Sequence, residues 1–193
     1  MNGNDLYSYI LKGELTKVAL NNTGIISKHS SSDILIAEYI NCLSLDLLDD
    51  ECVTNAKEMA TVYVAIASFE NMVRKFIVKI LLEHKGEDWW NISVPEKIKK
   101  TAETRKNEEE KIKWHAQRGT SMINYVDFGD LASIMQQNLE LFEMHIISID
   151  WARQIFKTLE RSRNVIMHSG ELGKKDIERI GTNIRDWIRQ VGN

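Results

Sequence analysis

The chain holds a single proline and only ten glycines in 193 residues. Tight turns draw heavily on both, so an all-β sandwich or barrel is disfavoured and long helices are expected. Cysteine is equally scarce. Cys42 and Cys52 lie ten residues apart, which is not a CxxC spacing, and there is no second pair to build a zinc site. Buried, apolar thiols in a reducing cytoplasm are the expectation. No apolar run approaches the roughly 20 residues that span a bilayer. The opening Met-Asn-Gly-Asn-Asp has neither the basic nor the apolar region of an export signal. Excess positive charge is missing too, the net charge being −3. That excludes a histone-like coat and leaves nucleic-acid contact to a local basic patch. His29, His84, His115 and His145 sit in separate segments without HExxH-type spacing. Gly173 lacks the glycine pattern of a phosphate loop, and Ser169 has no GxSxG context. Neither a metal nor a cofactor is expected.

Helical periodicity is what remains, carried by a 43% hydrophobic content. Residues 1–50 read as two accessory helices broken at Asn21-Asn22-Thr23-Gly24. The second carries Ile36, Ile40, Leu43 and Leu47, with Ser31, Ser32 and Asp33 as cap candidates. Residues 51–193 read as the main bundle. Its clearest helix runs from about 55 to 84, with Met59, Val62, Ile66, Phe69, Val73, Phe76, Ile77 and Ile80 inside an arc of roughly 100° and Lys57, Lys75 and Lys79 opposite. Glu70 lies at the edge of that arc, one turn before Arg74. Trp89 and Trp90 fall in an expected loop, as a lid over the bundle end. Residues 96–119 are densely charged with mixed sign, the pattern of a solvated helix. Asp127 or Asp130 is expected to cap a helix carrying Leu131, Ile134, Met135, Leu139 and Phe142.

The last helical hairpin carries the chemistry. Trp151, Ile155, Leu159, Ser162 and Ile166 form an inward stripe, and Arg153, Lys157 and Arg161 a basic one. Ser169-Gly170 and Gly173 break the run before a final helix that Asp176 is placed to cap. At the end of the first helix stand Arg163, Asn164 and His168 in the order RNxxxH. A guanidinium presents a planar fork of donors to phosphate oxygens, and an imidazole moves a proton near neutral pH. Five residues turn a helix by about 140°, so Arg163 and His168 do not share a face of one regular helix. They meet if the helix ends between them, or if two copies face each other. A purely structural reading instead pairs Arg163 with a carboxylate such as Glu160 and uses His168 as a C-cap.

RNxxxH in this setting resembles the HEPN domains, all-helical proteins often found as endoribonucleases in toxin and phage-defence systems. The resemblance covers roughly residues 55 to 190 and includes the inward Glu70–Arg74 pair. It implies an all-α HEPN-like bundle with an additional N-terminal helical segment. It also implies a homodimer that cleaves RNA to a 2′,3′-cyclic phosphate without a metal. His168 would be general acid or base, Arg163 the phosphate ligand and Asn164 an orienting group. Glu70 and Arg74 would support them, and Arg153, Lys157 and Arg161 would contact RNA. A neutralising or complex partner protein is a further implication, as is a non-catalytic module binding nucleotide or RNA. One position departs: where HEPN toxins silenced by nucleotidylation carry a tyrosine two residues after the histidine, this chain has Gly170.

Overall fold

A computed structural model describes residues 31–192. The first of the two expected accessory helices lies outside the described residues. Among those described there are eight α-helices and no strand: α1 (Ser31–Cys42), α2 (Asp50–Lys85), α3 (Trp89–Ser93), α4 (Glu96–Glu110), α5 (Phe128–Gln137), α6 (Leu139–Phe142), α7 (Ile149–Met167) and α8 (Lys174–Val191). None is long and apolar enough to cross a membrane.

The chain divides into two compact units, Met1–Val53 and Thr54–Asn193. In the first, α1 stops at Cys42, and Ser44 follows in the left-handed region at φ 51°. Leu43 and Leu47 therefore leave the helical stripe expected for them, and both are exposed, as are Ile36 and Ile40.

The second unit is built on α2. Its buried residues, Met59, Val62, Ile66, Phe69, Val73, Ile77 and Ile80, follow the expected arc, and Phe76 is half-buried beside them. Aromatic side chains join the helices into one core. Phe69 meets Phe128 of α5, Phe156 of α7 and Trp187 of α8 at centroid distances of 6.0, 6.4 and 5.8 Å. Phe128 stacks on Phe156 at 4.9 Å, and Trp151 on Trp187 at 5.5 Å. Such pairs add about 0.5–1.5 kcal/mol each beyond the burial of their area.

Four local expectations are corrected. Trp89 and Trp90 open the short helix α3 instead of lying in a loop; Trp89 is buried and Trp90 half-buried. Asp127 does hold the N-cap position of α5, but its side chain makes no cap bond. Arg105 draws the carboxylate away, Nη2 donating to Oδ2 at 2.5 Å. The N-cap of α8 is Gly173, and Asp176 lies in the first turn, paired with Arg179 at 3.0 Å. Both cysteines are free and exposed, not buried as expected.

Candidate functional site

Glu70 organises the site. Its neighbours Phe69 and Val73 face the core, and this carries the carboxylate inward with them, to 6% exposure. A buried carboxylate is costly unless charged donors surround it. Two arginines do. Arg74, one turn on, donates Nη2 to Oε1 at 2.6 Å; Arg163 reaches across from α7 and donates Nη1 to Oε2 at 3.1 Å. One carboxylate thus holds two guanidinium groups, and the trio keeps a net positive charge.

Arg74 has a second duty. Its Nε donates to the Ile123 carbonyl at 3.2 Å and its Nη2 to that of Val126 at 3.0 Å. Arg105 of α4 does the same for Tyr125 at 2.9 Å. The 3₁₀ turn Met122–Tyr125 and the residue after it are buried at several points; the arginines donate to the Tyr125 and Val126 carbonyls and add a second donor to Ile123 O, which also accepts from Val126 N–H at 3.3 Å.

Between α2, the end of α7 and this turn lies an open groove of about 610 Å³. Glu70, Asn71 and Arg74 line it from α2, Arg163, Asn164 and Met167 from α7, and Arg118, Asn124 and Asp127 from the segment after α4. Arg163 stands at its edge with Nη2 on its neighbour's Asn164 Oδ1 at 3.4 Å. Its side chain is 26% exposed, so the fork is braced yet reachable. Tyr63 and Met167, both exposed, give the groove an apolar rim.

His168 stands apart. Helix α7 does not end between Arg163 and His168 but runs through Met167, and His168 is its C-cap, exposed and outside the groove lining. The end of the helix is a complete Schellman closure: Ser169 N–H donates to Ile166 O at 2.9 Å and Gly170 N–H to Val165 O at 2.8 Å. Ser169 takes the left-handed conformation at φ 60°. Gly170 packs so tightly that a Cβ there would lie 2.7 Å from Val165 Cγ1. A tyrosine cannot occupy this position without moving the helix end.

At 3.6 residues per turn, Arg153, Lys157, Arg161, Asn164 and His168 fall within an arc of roughly 80° on α7, and Arg163 lies outside it. All five are exposed. Arg153 is paired with Asp150 at 2.8 Å; Lys157 and Arg161 have no ion-pair partner among the described residues. Arg163 and His168 therefore serve two faces of one helix, and Asn164 belongs to both. The structural reading holds in kind: Arg163 does pair with a carboxylate and His168 is the C-cap, but the carboxylate is Glu70 of α2 and not the example given, Glu160.

Asn71, Arg118 and Asn124 were not singled out in the sequence, and Asp127 was read only as a helix cap, not as part of the site. They come from irregular chain or from a polar position with no periodic signal. Tyr125 behind them is fully buried, and its hydroxyl donates to Gly119 O at 3.1 Å. Burial first, then the charges of Glu109 and Glu110, pushes its pKa up, so the phenol remains a donor. No three His, Cys, Asp or Glu side chains among the described residues gather closely enough to hold a metal ion.

This bundle is of the HEPN class. A family model described as Swt1-like HEPN matches residues 65–192, well over half of the chain, and the chain belongs to that family. No curated protein and no solved structure matches it.

Proposed function

We propose that the protein is a metal-independent endoribonuclease of toxin or phage-defence type, working as a homodimer with a composite arginine–histidine site. The observation that carries this reading is the division of α7. Arg163 is braced by buried Glu70 at the edge of an open groove, while His168 stands exposed on the adjoining face. A single copy thus offers a phosphate ligand and a proton carrier that do not line the same groove. A second copy related by a two-fold axis would bring its own histidine to this groove and receive the same in return. The rim of Tyr63 and Met167 would supply apolar contact for such an interface.

The chemistry is a transesterification. One imidazole takes the proton of a ribose 2′-hydroxyl, the 2′-oxygen attacks the adjacent phosphorus, and the 5′-oxygen leaves with a proton from a second acid. The products are a 2′,3′-cyclic phosphate and a free 5′-hydroxyl. Arg163 would bind the scissile phosphate and stabilise charge gathering on its oxygens. Asn164, in contact with the Arg163 fork, would set its angle. Glu70 and Arg74 would position Arg163 without touching RNA, and Arg153, Lys157 and Arg161 would hold neighbouring phosphates.

The pairing of Arg163 with an in-chain carboxylate favours a second reading, a non-catalytic HEPN module that binds RNA or nucleotide, or dimerises within a defence complex. Incubating the pure protein with structured and single-stranded RNA in excess chelator separates the two. The nuclease reading expects cutting by the wild type and none by Arg163→Ala or His168→Ala. Binding without cutting supports the module, and cutting that needs added Mg²⁺ or survives both substitutions rejects the proposed chemistry.

A further inference from the structure

Trp114 is 86% exposed, on a loop where every residue from Lys111 to Arg118 is exposed. An indole stabilises a fold by being buried, and this one contributes almost nothing of that kind. Its ring contact among the described residues is with His115, edge-on at 5.6 Å.

The loop is nonetheless tied at both ends. At its start Ile112 N–H donates to Glu109 O and His115 N–H to Ile112 O, at 3.0 and 3.1 Å. At its end Arg118 donates Nε to Glu109 Oε1 at 2.6 Å and its backbone N–H to Oε2 at 3.1 Å, with its guanidinium 5.9 Å from the centre of the Tyr125 ring. The bonds hold the loop's backbone, so the indole it carries is presented to solvent at a defined place where a flat partner can reach it. Arg118 also lines the groove that holds Arg163 and Asn164. It lies four positions along the chain from Trp114, at most ~14 Å when extended.

Charge indicates what kind of partner fits. Of the glutamates that precede the loop, Glu109 is bound to Arg118 and Glu110 lies 3.8 Å from Lys106. Lys111 and Lys113 have no ion pair among the described residues, and neither has Glu108, so unpaired positive charge outnumbers unpaired negative charge by two to one among these three. A protein partner would take the indole into an apolar pocket. Lysines immediately beside it suit a strand of phosphates better.

We propose that Trp114 is a stacking platform for an unpaired base of the RNA that occupies the Arg163 groove, with Lys111 and Lys113 on the flanking phosphates. The assignment rests on the reading of that groove as an RNA site, and it names the substrate class: single-stranded RNA or a loop. A duplex hides its base faces, whereas an unpaired base stacks on an aromatic ring whatever its identity.

The test measures binding of one RNA sequence, single-stranded and as a duplex, by the full chain in chelator, with His168→Ala as background so that nothing is cut. Adding Trp114→Ala should weaken single-strand binding roughly 5- to 100-fold, the range base–aromatic stacking supports. Trp114→Phe should keep most of the affinity, duplex binding should not move, and the melting temperature should stay the same. Equal single-strand binding with and without the indole overturns the platform, including the case where Trp114→Ala loses only a protein partner. The two readings fail separately. A wild type that cuts RNA while Trp114→Ala binds unchanged removes the platform alone. A wild type that never cuts, with single-strand binding still dependent on Trp114, removes the nuclease alone. No binding of single-stranded RNA by any form overturns both.

Discussion

Two faces of one helix differ more than their sequence spacing suggests. On α7 the side bearing Arg163 is prepared by the fold: Glu70 is buried beneath it, and Asn164 touches its fork. The side bearing His168 is prepared by nothing in the described chain, and it is bordered by Lys157 and Arg161, which lack ion-pair partners among the described residues. A site built by one copy would be braced on both sides. The asymmetry teaches that folding braces the guanidinium of Arg163 and leaves His168 unbraced; on the proposed reading, a second copy would have to position the histidine.

Substitutions at each face sharpen the contrast. The largest expected effect is on activity and comes from the unbraced face: His168→Ala should lower cleavage roughly 10²- to 10⁴-fold, the usual range for a general acid or base. Its melting temperature should match the wild type, because the exposed ring holds nothing. A large loss of stability in that variant would mean the histidine is structural. On the braced face stability should respond first. Glu70→Ala leaves two guanidinium groups facing each other without their carboxylate, and breaking a buried pair in this way costs about 3–5 kcal/mol. Denaturant unfolding reads this directly, and an unchanged midpoint would show that the carboxylate is dispensable.

A smaller effect lies at the hinge between the faces. Gly170→Ala drives a methyl into Val165 and should destabilise by about 1–3 kcal/mol, as overpacking does. Lys157→Ala and Arg161→Ala should leave stability within about 0.5 kcal/mol. Each should weaken RNA binding evenly across sequences and lower the slope of log affinity against log salt by about 0.7 for a single strand. An unchanged slope would remove the basic face from the RNA path. The smallest effect is in pH. Burial, then the Asp127 charge, raises the pKa of Asp130. A carboxyl with a raised folded-state pKa contributes its stability below the ordinary value and loses it as pH rises through the raised one. Asp130→Asn should therefore gain slightly on the wild type at neutral pH and not at low pH.

The long elements were legible because their period was strong. The arc from Met59 to Ile80 and the stripe on α7 face inward as the spacing of apolar residues requires. Glu70 was visible as an edge residue of that arc, but its burial depends on Arg163 arriving from α7, which no local pattern contains. Arg118 and Asn124, and the groove-lining place of Asp127, were invisible for a related reason: they sit in irregular chain, where placement follows from tertiary donors such as Arg74 and Arg105. Asp127 looked like a cap and holds the cap position, yet a nearby guanidinium outcompetes the helix for its carboxylate. The α1 stripe failed because the helix closes at Cys42, before two of the leucines counted in it.

Subunit mixing tests the composite site most directly. Arg163→Ala and His168→Ala proteins, each silent alone, are unfolded together, refolded and assayed on RNA in chelator. If arginine and histidine come to one phosphate from different copies, the mixture regains cutting, since a mixed pair rebuilds one Arg163 opposite one His168. A mixture that stays silent, beside a wild type that cuts as a monomer, contradicts it.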